Sequence, residues 1–286
     1  MKKANEKIKG KLEEGISLMK TPLMSILPGQ ISFFVILSLI PFLSVMIMLI
    51  TKLSISFDGV TSFITHYVPT GFASVILSFL ETQKVGALDV VFIITAIYIA
   101  SKATHSIIIA STEIYGGRQR NFIRTRVKAI IMLIILVILV LSVLMVLTVG
   151  SRILWYVKET YGNIHPYVYS AYQIIKWPFV FFMIFFTVKI IYTLAPNGKI
   201  PSWSVNKGAL LTTIVWVIST YAYSVYVTDI ANYSKLYGNL SNIIILMMWI
   251  YWSCYIFVLG MTVNKYKYNK WNQEKSWINR LFLCYN

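Results

Sequence analysis

Residues Ala129–Val149 run for twenty-one positions without a charged residue, a glycine or a proline. A helix of about 20 residues rises about 30 Å, the thickness of the hydrocarbon core of a bilayer. A helix on the surface of a water-soluble domain keeps a polar face, and this stretch has none. The chain is therefore an integral membrane protein, and its other residues have to be read against lipid as solvent. Composition agrees: of 286 residues, 57% are hydrophobic and 13% charged, where water-soluble domains carry roughly 25% charged residues.

Five more apolar stretches fall at about Ile31–Ile50, Ala87–Ala110, Trp177–Leu194, Gly208–Val227 and Ile243–Val263. The expected fold is all-α, a polytopic membrane protein with six transmembrane helices. Residues 1–30 form a basic segment in which Ile8, Leu12, Ile16 and Met19 recur at helical spacing, which predicts an amphipathic surface helix ended by Pro28-Gly29. Residues 31–264 are the membrane domain and 265–286 a basic tail. Lys and Arg are dense in the N-terminal segment, in the second loop (Arg118, Arg120, Arg124, Arg126, Lys128) and in the tail, and sparse elsewhere. That alternation, with an even number of spans, predicts both termini in the cytoplasm.

The same asymmetry accounts for the net charge of +16, so the basic residues give no separate sign of nucleic acid. Cys254 and Cys284 belong to no metal-binding or disulfide pattern, and no cofactor is expected. The loop Thr51–Gly86 is apolar; Val60–Tyr67 and Gly71–Leu80 read as short interfacial or re-entrant helices about Pro69. Tyr156, Tyr161, Tyr167, Tyr169 and Tyr172 suit an aromatic belt at the outer interface.

Polar residues inside spans cost several kcal/mol unless they snorkel, pair or face water. The second span carries Thr95, Tyr98, Lys102, His105, Thr112 and Glu113 near one helical face, with Ser106 at its edge. Turned into the bundle, this stripe would wall a polar cavity in which Lys102 binds an anionic group. The alternative is that Lys102 snorkels ~12 Å to the interface and His105 makes one interhelical hydrogen bond. Trp216 and Tyr223 on the fifth span and Trp249, Tyr251, Trp252 and Tyr255 on the sixth either line an aromatic groove for an amphiphile or pack the two helices. Pro41 frees the carbonyl near Leu37, and Ser38 is placed to help cap a kink; the kink either serves as a gate or is a proline tolerated with no gating role, as in many membrane helices.

Several stretches, in order, resemble one family. Ser32-Phe33-Phe34 through Ser38-Leu39-Ile40-Pro41 is similar to the first-span signature of the YihY/BrkB family of bacterial inner-membrane proteins. Glu113-Ile114-Tyr115-Gly116 with Arg118, Arg120 and Phe122, then Ile191-Tyr192-Thr193-Leu194-Ala195-Pro196-Asn197, continue it. Lys207-Gly208-Ala209, Trp216, Ser224 with Tyr226, Tyr237-Gly238-Asn239-Leu240, Trp249-Ile250-Tyr251, Gly260 and Asn264 complete it. The resemblance implies six spans in the bacterial cytoplasmic membrane. One departure stands out: the family often has Gly-Ala-Glu-x-Asn where this chain reads Gly260-Met261-Thr262-Val263-Asn264.

The family also carries an old label, ribonuclease BN. Metal-dependent nucleases need clustered His and acidic ligands. His66, His105 and His165 lie in separate segments, and Asp89 and Glu113 sit ~36 Å apart along one helix. The reading is therefore a non-enzymatic transporter or translocase of a small or amphiphilic, anionic envelope molecule. Its expected partners are membrane lipids and a small-molecule or lipid substrate, with no nucleic acid; a homo-oligomer stays open. The alternative is a non-catalytic membrane scaffold or envelope-assembly factor.

Overall fold

The computed structural model describes residues 20–52, 90–118, 121–161, 166–198, 200–227 and 238–283, with Thr61, Thr65 and Leu77 between them. Among the described residues six long helices follow one another: α1 (Pro22–Lys52), α2 (Val90–Ile114), α3 (Phe122–Tyr161), α4 (Pro166–Leu194), α5 (Asn206–Val225) and α6 (Ser241–Leu283), the last entered through a 3-10 turn at Gly238–Leu240. Each holds a stretch long and apolar enough to cross a membrane. In lipid this is the expected solution, because a helix satisfies its own backbone hydrogen bonds and lets its side chains be apolar throughout. The all-helical, six-span architecture stands.

The helix limits differ from those expected. α1 starts at Pro22 and runs through Pro28-Gly29 rather than beginning after them. Met24, Leu27 and Ile31 are all buried in the main core, so packing on both sides of Pro28 holds the helical path across the missing N–H. Residues 1–19, where the amphipathic repeat lies, fall outside the described residues. α3 begins at Phe122, seven residues before the apolar run, and continues past Gly150 and Arg152 to Tyr161. α6 likewise extends through the expected tail to Leu283. Bilayer thickness limits how long a helix stays apolar, not where it stops, and at 43 residues α6 is ~64 Å long.

Most of Val60–Tyr67 and Gly71–Leu80 also lies outside the described residues. Thr61, Thr65 and Leu77 are helical, and the Thr65 hydroxyl donates to the Thr61 carbonyl at 2.9 Å. The side chains of Tyr156, Tyr161, Tyr167, Tyr169 and Tyr172, the expected aromatic belt, are outside the described part.

Each helix packs on its neighbours in chain order, and α6 closes the circuit against α1 while also touching α2. The principal core joins α1 residues Met24, Leu27 and Ile31, the α2 end from Ile107 to Ile114, Val188 and Tyr192 of α4, Val205 and Ala209 at the start of α5, and α6 from Leu246 to Met261. A smaller cluster of Met46, Ala100, Leu133 and Val137 lies further along α1 to α3. The α2–α3 connection is tight. Gly116, at φ 67°, ends α2 with Gly116 N–H donating to the Glu113 carbonyl and Gly117 N–H to the Thr112 carbonyl. A left-handed glycine beyond the last turn is the usual way to satisfy those carbonyls.

Candidate functional site

The buried face of α2 shares only Ser106 and Thr112 with the predicted stripe. It consists of Ala96, Ala100, Ser101, Thr104, Ser106, Ile107, Ile108, Ala110, Ser111, Thr112 and Ile114. Four of its hydroxyls have a main-chain acceptor. Ser101 donates to the Tyr98 carbonyl (2.8 Å), Ser111 and Thr112 to the Ile108 carbonyl (3.0 and 2.7 Å), and Thr104 crosses to the Ala129 carbonyl of α3 (2.8 Å). The other stripe residues lie elsewhere. Thr95 and Glu113 are exposed, Tyr98 is 45% exposed, and Lys102 and His105 are half-buried; Thr112 and Ser106 are inside, the Ser106 hydroxyl without a partner. The seven do not share one buried face. Large polar side chains are turned from the tight helix contacts that small hydroxyls tolerate.

Two of them, Tyr98 and His105, instead meet the start of α3. The His105 ring lies edge-on to Phe122, with centroids 6.0 Å apart. One turn further along α3, Arg126 is only 8% exposed. Its Nη2 donates to the Tyr98 carbonyl at 2.9 Å, and its guanidinium carbon lies 3.9 Å over the Tyr98 ring. Its Nε is buried with no acceptor. Among the described residues no carboxylate meets Arg126, and Lys102, one turn along α2 from Tyr98, has neither a hydrogen bond nor an ion pair. A buried guanidinium is costly unless its charge is compensated. Sequence reading placed Arg126 with the loop charges; its spacing from Phe122 and Ala129 on one helix was the available signal.

A second cluster seals the end of α4. Lys128 of α3 donates to the carbonyls of Ala195 and Pro196 (both 2.8 Å) and lies 3.4 Å from Asn197 Oδ1. The Asn197 N–H donates to Thr112 Oγ1 at 3.3 Å. The Ala-Pro-Asn stretch is thus tied to α2 and α3 at once. Nearby, Tyr115 stacks edge-on with Tyr268 at 6.3 Å, and its buried hydroxyl has no partner. Burial, reinforced by Tyr268, pushes the Tyr115 phenol well above its ordinary pKa.

The third cluster is the α5–α6 crossing. The Gly208 N–H donates to Asn264 Oδ1 at 2.7 Å. Tyr192 of α4, fully buried, donates to the Phe257 carbonyl at 2.6 Å and shares a 2.7 Å hydrogen bond with Thr212. A Cβ on Gly208 would overlap the Gly260 carbonyl and Asn264, and one on Gly260 would overlap Thr212. Small residues let backbones approach this closely in membranes. Thr262, where the resembling family often has Glu, is buried and donates to the Val258 carbonyl at 2.9 Å, so this position brings no acid to the crossing.

The aromatic residues divide between seam and exterior. Trp216 donates to the Ser253 carbonyl (2.9 Å) and stacks on Phe257, while Tyr223 donates to the Ile245 carbonyl (2.7 Å). Trp249 and Tyr255 pack on the core, whereas Tyr251 and Trp252 are exposed, Trp252 stacking on Tyr255. These contacts lock α5 to α6, and the six rings do not share one groove. α1 passes through Pro41 as helix; the Ser38 hydroxyl donates to the Val35 carbonyl at 3.1 Å, not to the carbonyl near Leu37. Among the described residues, no three of His, Cys, Asp and Glu come together as metal ligands would.

Comparison with known proteins gives one family across this frame. The family described as virulence factor BrkB matches residues 22–279. A Bacillus subtilis (strain 168) protein named putative ribonuclease-like protein YfkH is 31% identical over 243 residues, covering 82% of this chain and 87% of its own length. UPF0761 membrane proteins of Enterobacter sp. (strain 638) and Aeromonas salmonicida (strain A449) are each 30% identical over 83 residues, under a third of either chain. No solved structure matches. With six helices able to cross a membrane and a family match that runs from the first turn of α1 almost to the end of α6, the chain is a bacterial membrane protein belonging to the BrkB family.

Proposed function

We propose that the protein transports or translocates a small or amphiphilic anion across the bacterial inner membrane, and that the α2–α3 seam is its binding region. The observation that carries the reading is Arg126, buried next to Tyr98 with an unused Nε, beside Lys102 and His105 and without a carboxylate among the described residues. An anion would supply the missing compensation, and the half-exposed edge of α2 leaves it a way in and out. Purified protein in liposomes should show anion flux that Lys102→Ala and His105→Ala each reduce; unchanged flux in both variants would remove the seam from the transport path. The distribution of Lys and Arg supports both termini in the cytoplasm, so a reporter fused after Asn286 should be active only there.

A scaffold role has one observation in its favour. α6 carries Lys265, Lys267, Lys270, Lys275 and Arg280 on a helix that continues to Leu283, a basic rod suited to acidic lipid or protein surfaces. Crosslinking from this rod that captures a defined partner, in a protein without flux, would favour it. The ribonuclease-like name of the Bacillus relative does not transfer: we read this chain as non-enzymatic, and ribonuclease assays with added divalent metal should give no cleavage.

A further inference from the structure

We propose that the anion held at the α2–α3 seam is the phosphate of an anionic membrane lipid, reaching Arg126 sideways from the bilayer. The inference rests on the reading of the seam as an anion site and adds the class of ligand and its route.

The route follows from what surrounds the charges. Arg126 lies one helical turn, ~6 Å, beyond Phe122, while Asn121 and Arg124 are exposed at the start of α3. Counted along α3, Arg126 is thus about one turn inside the start of the span that opens at Phe122, within reach of a lipid headgroup at that end. On α2, Ile94 lies one turn before Tyr98 and is exposed. On α3, Ile123, Val127 and Ile131 form an exposed ridge beside Arg126 at spacings of four. Apolar residues on the outside of a membrane bundle touch acyl chains. The seam therefore has a cationic floor and apolar walls open to lipid, which suits a molecule with a charged head and greasy tails.

The charge side follows from the geometry of Arg126. Nη2 is engaged by the Tyr98 carbonyl and the guanidinium face by the Tyr98 ring, which fixes the plane of the fork. Nε is buried without an acceptor. A planar fork held in this way is preorganised for a tetrahedral oxyanion. Lys102, at i+4 from Tyr98, adds a second cation on the same face, and His105, at i+3 from Lys102, borders it against Phe122.

The test uses the full chain in neutral detergent, with bound lipid counted by native mass spectrometry. The probes are phosphatidylglycerol, phosphatidylcholine and inorganic phosphate. Arg126→Gln and Lys102→Gln should each weaken phosphatidylglycerol binding about tenfold. Tyr98→Leu, which removes the platform from a half-exposed position, should weaken it several-fold and keeps the test alive if Arg126→Gln does not fold. Arg124→Gln, an exposed cation two residues away, should leave binding unchanged. An equal loss in Arg124→Gln would mean diffuse surface attraction and would overturn the proposal. Full displacement of the lipid by inorganic phosphate would overturn the lipid assignment. Liposome flux separates the two readings: lipid binding lost with flux unchanged removes the transport role and leaves this site. Flux lost in Lys102→Ala with phosphatidylglycerol binding unchanged does the reverse.

Discussion

Gly208→Ala puts a methyl group where the α5–α6 crossing has no room. The new Cβ would overlap the Gly260 carbonyl oxygen and the Asn264 side chain. Asn264 has a rotatable side chain, but the Gly260 oxygen is main chain and cannot turn away, so α5 and α6 must separate. Separation loosens the 2.7 Å bond from Gly208 N–H to Asn264 Oδ1 and the Tyr192 bonds to Phe257 and Thr212. Overpacking costs about 1–3 kcal/mol, and each buried hydrogen bond that weakens adds about 0.5–1.5 kcal/mol. The expected loss is about 3 kcal/mol, or a melting temperature lower by about 6 °C. Gly29→Ala is the matched control, because nothing lies within 4 Å of its Cβ position. Inside α1 that change should be neutral or stabilise by up to ~1 kcal/mol. Tryptophan fluorescence melts of detergent-solubilised protein would compare the two. Equal melting temperatures would show that the backbones do not approach as described.

Other outcomes follow from single contacts. Tyr192→Phe removes a fully buried hydroxyl and strands Thr212, and should cost about 1–3 kcal/mol in the same melts. Lys128→Met should loosen the Ala195–Asn197 turn and raise its protease sensitivity, since three acceptors lose their donor. The Tyr115 phenol stays protonated in the fold while the unfolded phenol ionises near pH 10. Its contribution is therefore complete below that pH and lost as pH climbs above it, so Tyr115→Phe should flatten the alkaline fall in melting temperature. Glu113→Cys should react with a charged maleimide and Ser106→Cys should not; equal labelling would contradict the packing of α2.

The spans were legible because lipid imposes one simple demand, a long apolar helix, and hydropathy reports it directly. Helix ends were not, because Pro28 is overruled by Met24 and Ile31 packing around it, and the helix runs on through Arg152 to Tyr161. The polar stripe of α2 was legible as a pattern but not as a direction. A period of 3.6 identifies which residues share a face; it does not say that Ser101, Thr104 and Thr112, each bonded to a nearby carbonyl, bury more easily than Lys102 or Glu113. Arg126 was hidden by its company, since in sequence it is one of five basic residues between Arg118 and Lys128. The crossing of Tyr192, Gly208, Thr212, Gly260 and Asn264 draws on three helices. Their separation along the chain leaves no local periodicity to detect, and only the family resemblance marked most of them.

The closure of α6 onto α1 and α5 bears on how the molecule is made. Helices leave the ribosome in order, so α1 waits in the membrane through the insertion of four more before its last neighbour arrives. Until then Gly208 and Thr212 have no α6 backbone to meet, and Tyr192 has no Phe257 carbonyl to accept its proton. A nascent chain stopped after Val225 would leave the Tyr192 and Thr212 hydroxyls without the α6 backbone that covers them in the finished fold.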